Sequence, residues 1–165
     1  MQNQRFSELE GLQIAAEIER RGGELYRRAA RVNQNPKTQQ ALVQLAREEE
    51  VHEREFLRLA SQLRAARGDA EPPEDELTPA FLSATAADIA FSGGLMELVP
   101  GRGFEDPAAV LRYAIESEQN SIAFYRTISE QVRTEEQRLV FQEIIRQEKN
   151  HLDQLKKMLD ERGKR

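Results

Sequence analysis

The stretch LAREEEVHEREFL, Leu45 to Leu57, decides the architecture, because its frame occurs twice. Ninety-nine residues later, between Ile144 and Leu155, Glu148 and His151 stand where the first copy has Glu49 and His52. The chain holds two histidines, and both sit in a Glu-x-x-His unit. On a helix, side chains three apart project from one face with Cβ atoms about 5–6 Å apart, the spacing a metal ion needs from two ligands. With 29 acidic residues among 165, both histidines would follow an acid by three positions with a chance of about 3%.

The same offset runs through the rest of the chain. From Phe6 to Ala30, Leu12, Ala15, Glu19, Gly22, Tyr26 and Ala29 step by three and four, which marks one buried helical stripe with Glu19 in its middle. Asn35 then offers an N-cap and Pro36 a first helical residue for a second helix. Its stripe is Leu42, Leu45, Glu49, His52, Phe56, Leu59 and Leu63. Asp106-Pro107 opens a third helix with the stripe Leu111, Ala114, Glu118, Ser121, Tyr125 and Ile128. Thr134 with Gln137 forms a capping-box signal for a fourth, whose stripe is Phe141, Ile144, Glu148, His151, Leu155 and Met158. Glu19 pairs with Glu118, Tyr26 with Tyr125, Asn35 with Thr134, Glu49 with Glu148 and His52 with His151, with no gap. A helical hairpin is used twice.

Between the copies, from about 67 to 105, Gly68, Pro72-Pro73, Pro79, Gly93-Gly94, Pro100, Gly101 and Gly103 break any long helix. A crossover of this length is expected to carry local structure. Pro79 to Ile89 reads as a short helix, and Phe81, Leu82, Ile89, Phe91, Leu95 and Met96 are expected to pack on the main body. The expected organisation of residues 1–165 is one domain: hairpin one over about 6–66, the crossover, and hairpin two over about 106–162.

Composition narrows the functional classes. There is no cysteine, so no disulfide framework, thiolate metal site or cysteine nucleophile is available. The net charge of −5 and the scatter of arginine over helix surfaces argue against nucleic-acid binding. No apolar run approaches the roughly 20 residues of a membrane span, and Met1 to Phe6 is polar, so a cytoplasmic protein without a membrane role is expected. Glu48, Glu50 and Glu53 read as solvated helix surface.

The inward carboxylates are a different matter. An uncompensated ion in dry protein costs on the order of 20 kcal/mol by a Born argument, and several after relaxation. Two divalent cations would balance Glu19, Glu49, Glu118 and Glu148 while both imidazoles stay neutral. Pairs of Glu-x-x-His helices with one Glu from each other helix are the ligand set of di-iron and di-manganese carboxylate bundles.

With Glu19 and Tyr26, Glu49 and His52, Glu118 and Phe124-Tyr125, and Glu148 and His151 spread over four helices, the chain resembles the ferritin-like superfamily, and within it the rubrerythrin family. The resemblance implies an all-α, ferritin-like four-helix bundle of two repeated hairpins joined by a long crossover. It implies that Glu49 and Glu148 bridge two metals, that Glu19 with His52 completes one coordination sphere, and that Glu118 with His151 completes the other. Iron is the expected metal, with manganese and zinc as alternatives that the same ligands accept. Tyr26 and Tyr125 match inward tyrosines near the site, for which a core tyrosine with a satisfied hydroxyl is an equal reading.

Two departures stand out. Rubrerythrins carry a further Glu three residues after the third-helix ligand, where this chain has Ser121, and they carry a cysteine-rich rubredoxin module that supplies electrons. A separate electron donor protein is therefore expected. The second helix has no Met to suggest a shared haem, and none is expected. The expected function is a non-haem di-iron oxidoreductase oxidised by hydrogen peroxide or dioxygen, in peroxide detoxification. The rivals are a ferroxidase serving iron storage, which demands a large closed cage, and a non-redox bundle that binds a partner through Phe81 to Met96. A homodimer is expected, with exchange of hairpins between protomers as one way to build it.

Overall fold

The computed structural model describes residues 6–68, 77–91 and 106–164, and the architecture follows from how each helix is started and which stripe it buries. Helix α1 spans Glu8–Val32, α2 Pro36–Arg67, α3 Pro79–Ala90, α4 Pro107–Ser129 and α5 Glu135–Gly163. No strand occurs among the described residues.

The caps are local chemistry. Ser7 and Glu10 form a capping box at α1, and Thr134 and Gln137 form one at α5, each satisfying two backbone N–H groups that the helix cannot. Asn35 accepts from the amides of Lys37 and Thr38 ahead of Pro36 at α2, and Asp106 accepts from Ala108 ahead of Pro107 at α4. The expected Asn35, Asp106 and Thr134 caps all form. Ser7, which the sequence reading passed over, starts α1.

Helix α1 packs most extensively on α2, and α4 on α5, so each repeat is a hairpin. Across the bundle α1 meets α4 and α2 meets α5: every helix touches its own counterpart, as a two-fold repeat requires. The fold is an all-helical, ferritin-like bundle. Leu9, Leu12, Phe56, Leu59, Tyr125 and Phe141 belong to one buried apolar cluster, and Leu42, Leu45, Tyr26, Leu111, Ala114 and Leu155 to a second. The inward glutamates and histidines come from the turns between these clusters on all four long helices, so apolar cores flank the polar layer.

The crossover helix α3 packs against α1 and α4. Its N-cap Thr78 accepts from the Phe81 amide, and Ala86, Ala87, Ala90 and the following Phe91 are buried. Leu82 and Ile89 pack on the core as expected. Phe81 does not: it is 49% exposed, because it shares the outward face of α3 with Ala84 and Asp88 while the alanine face turns inward. Leu95 and Met96 lie outside the described residues. No helix among the described residues is long and apolar enough to cross a membrane.

The aromatic centre of the first cluster carries a stability prediction. Phe56 lies 5.1 Å, ring centre to ring centre, from both Tyr125 and Phe141, and is wholly buried. Phe56→Ala is expected to cost about 3–5 kcal/mol in urea unfolding of the metal-free protein. Val51→Ala, on the outer face of α2, should stay within about 0.5 kcal/mol.

Candidate metal centre

The four stripes deliver their polar members to one place. Glu19 from α1, Glu49 and His52 from α2, Glu118 from α4, and Glu148 and His151 from α5 are all buried, none more than 4% exposed. Glu19, Glu49, His52 and Glu148 form one group whose candidate ligand atoms lie within 4.8 Å of one another; Glu49, Glu118, Glu148 and His151 form a second. Glu49 and Glu148 belong to both. All six residues singled out in the sequence therefore come together in one buried cluster.

The atoms point at the space between them more than at each other. His52 Nδ1 lies 2.7 Å from Glu148 Oε1 and 3.3 Å from Glu19 Oε2. His151 Nδ1 lies 2.9 Å from both Glu49 Oε1 and Glu148 Oε2, and 3.7 Å from Glu118 Oε1. Yet His151 Nδ1, Glu49 Oε1, Glu118 Oε2 and both oxygens of Glu148 have no aligned hydrogen-bond partner. Buried polar atoms left in this state are costly, and a cation among them would satisfy the set. The residues present thus fit a pair of metal ions: oxygen-rich, with one imidazole nitrogen in each group.

The two tyrosines close the layer from opposite sides. Tyr125 on α4 donates to Glu19 Oε1 at 2.5 Å, and Tyr26 on α1 donates to Glu118 Oε1, so each phenol holds the glutamate of the other hairpin. Burial, with nearby carboxylates adding to it, raises both phenols well above their ordinary pKa and keeps them neutral donors. The imidazoles of His52 and His151 stack at 5.6 Å with 19° between their planes.

Helix α1 comes close to the site because of Gly22. A Cβ there would stand 2.6 Å from Glu49 Oε2. Ser121, at the corresponding place in α4, donates its hydroxyl to the Ser117 carbonyl at 2.7 Å and so turns toward its own backbone. Gly22, Ser117 and Ser121 line a narrow cavity of about 10 Å³ that reaches Glu19, Glu49, Glu118 and Glu148. That volume is room for about one water.

Two neighbours were not legible beforehand. Glu48, read as solvated surface, accepts from His151 Nε2 at 2.8 Å, and Gln147 Oε1 lies 2.7 Å from His52 Nε2. Both sit one residue ahead of an inward glutamate, in equivalent positions of the repeat, and that equivalence was the available signal.

The family model of rubrerythrin matches residues 10–90 and 109–165. The chain belongs to the rubrerythrin family. A hypothetical protein from Pyrococcus furiosus has a similar structure, with a TM-score of 0.69 and 23% identity over 96% of this chain and 92% of that one, which supports the fold. No curated protein matches the chain. The family match and the buried cluster of glutamates and histidines together point to a metal site.

In the metal-free state protons do part of the work of cations. Burial, and then the charge of Glu148, pushes Glu19 up; burial and the other three glutamates push Glu49 well up; burial and Glu148 bring Glu118 up to about 8. Glu148 goes the other way: burial would raise it, but the His151 and His52 imidazoles facing it at 2.9 and 2.7 Å outweigh that and hold it well below the usual carboxylate range. Burial would lower His52, but Glu148 and Glu19 raise it to about 11. His151 is raised in the same way, against its burial, by Glu118, Glu148 and Glu49.

The sign of the pH dependence follows. Glu118, raised from 4.5, stabilises the fold fully below about 4.5 and loses this as pH rises through about 8. His52, raised from 6.5, stabilises it below about 6.5 and loses this as pH climbs toward about 11. Glu148, being lowered, contributes above 4.5 and loses its share in acid. The melting temperature of the metal-free protein is therefore expected to fall between about pH 6 and pH 9, and zinc saturation should abolish the fall because bound ions replace the protons. Calorimetry with and without zinc checks both.

Gly22 supplies a second test. Gly22→Ala should keep the helix content yet lower zinc affinity about tenfold or more by displacing Glu49, the size seen when a contact behind a ligand is altered. Gly23→Ala meets nothing closer than 3.5 Å and should bind zinc normally.

Proposed function

We propose that this chain is a di-iron oxidoreductase that consumes hydrogen peroxide. The observation that carries this is the pair of overlapping four-residue groups, sharing Glu49 and Glu148, inside a rubrerythrin-family bundle. Glu49 and Glu148 would be shared by the two ions, Glu19 with His52 would serve one, and Glu118 with His151 would serve the other. Two ferrous ions would supply the two electrons that, with two protons, convert hydrogen peroxide to two waters.

The chain's own residues set the conditions for that reaction. The apolar clusters exclude bulk water, which strengthens every electrostatic interaction within the layer. Tyr26 and Tyr125 hold the terminal glutamates in place through their phenol protons. The cavity beside Gly22 and Ser121 has room for about one water and lies against Glu19, Glu49, Glu118 and Glu148, which makes it the side from which a small oxidant would approach. Without cysteine, these residues hold no thiolate-bound iron centre, so we assign re-reduction to a separate electron donor protein. A cytoplasmic homodimer completes the proposal.

The test is anaerobic loading with ferrous iron, followed in parallel by one addition of peroxide or of dioxygen. Retention of two irons per chain and faster near-ultraviolet change with peroxide are expected. Glu49→Ala and Glu148→Ala should each lose iron and the spectral change. A faster reaction with dioxygen, together with a large assembly on size exclusion, would replace this reading with a ferroxidase; failure to retain two metals would end it.

A further inference from the structure

Each imidazole has a nitrogen on the far side from the cluster, and the two are held by different chemistry. His151 Nε2 meets a carboxylate, Glu48 Oε2, at 2.8 Å, while His52 Nε2 meets an amide oxygen, Gln147 Oε1, at 2.7 Å. The assignments are anchored one step further out. Gln147 Nε2 donates to Glu143 Oε1 at 2.7 Å, which leaves its oxygen to face His52. Gln44 Nε2 donates to Glu48 Oε1 at 3.0 Å. Residues 44 and 143 are equivalent in the repeat, as are 48 and 147. The two hairpins therefore use the same pair of residue types in reversed order: Gln44 then Glu48 on α2, Glu143 then Gln147 on α5.

In both cases the far nitrogen donates its proton outward while Nδ1 faces the cluster, where a bound cation would displace the Nδ1 proton and leave the far one in place. A carboxylate accepting that proton makes the imidazole a better donor to a metal than an amide oxygen does. Glu48 also brings its negative charge directly to the ring, and at 36% exposure it is partly shielded from water. On the other side Glu143 stands behind the amide, is 52% exposed and is already paired with Arg146 at 2.6 Å. Little of its charge reaches His52.

We infer that Glu48 makes the two metal positions inequivalent: the position served by His151, Glu118, Glu49 and Glu148 binds its ion more tightly and fills first, and the His52 position fills second. Glu48 is a positioning and tuning residue for His151, and Gln147 is its weaker counterpart for His52. This rests on the dinuclear reading of the site. Its chemical consequence is that the more positive, oxidised state is better stabilised beside His151 than beside His52.

The test uses zinc titrated into the metal-free full chain, with chelator competition for affinity and nitrogen-15 spectra of the two imidazoles for the order of filling. Wild type is expected to bind in two steps at least about tenfold apart, His151 changing first, the lower end of the effect of such outer contacts. Glu48→Gln should shrink the gap by about the same factor, and Gln147→Glu should tighten the second step. The double variant E48Q/Q147E keeps the net charge and should reverse the order, so that His52 changes first. Both positions are partly exposed on helix surfaces, and unchanged circular dichroism identifies folded variants. Two equal sites in wild type, or an order untouched by the double exchange, would overturn the inference while leaving the dinuclear site standing. Failure of wild type to bind two ions would instead strike the reading beneath it.

Discussion

Four carboxylates share a space in which the candidate ligand atoms of each group lie within 4.8 Å of one another, and no arrangement of apolar packing can make that comfortable. Like charges so close, out of water, repel by more than a single hydrogen bond returns. The chain answers with two imidazoles and two phenols aimed at the same oxygens. Even so, several oxygens and one nitrogen keep no aligned partner. The rest of the bundle is arranged around that imbalance: apolar clusters flank the layer, and α1 gives up a side chain at Gly22 so that Glu49 has room.

The cluster without metal is a proton-loaded version of the cluster with metal. Glu148 is the most strongly stabilised anion because both histidines face it, whereas Glu49, equivalent in the repeat, is pushed well up by burial and by its three acidic neighbours. The difference comes from the local contacts. His151 lies near Glu49, Glu118 and Glu148, while His52 lies near Glu19 and Glu148, so Glu148 alone is served by both. A two-fold sequence repeat thus yields a site that is only approximately two-fold.

The six site residues were legible because two independent signals coincided on them: the three-and-four step of each buried stripe and the constant offset between hairpins. Either alone is common in charged helices. The caps were legible for a similar reason, since Asn35-Pro36 and Asp106-Pro107 are local chemistry that needs no tertiary partner. Glu48 was not, because a glutamate beside other glutamates on a helix has the pattern of a solvated face whether or not it reaches a neighbour. Its contact to His151 depends on how closely α2 and α5 approach, which periodicity does not encode. Phe81 failed for a related reason: on a short helix with alanines on the opposite face, hydrophobicity alone does not say which side turns inward.

Ser121 bears on what the family resemblance can carry. At the position where rubrerythrins have a further glutamate, this chain turns a hydroxyl onto its own helix and leaves a cavity with room for about one water. A fifth inward carboxylate there would add negative charge to a set that two divalent cations would balance, and would fill that cavity. With serine the ligand set stays at four carboxylates and two imidazoles. What would distinguish the two proposed metal positions is then left to groups behind the candidate ligands, where Glu48 meets His151 and Gln147 meets His52.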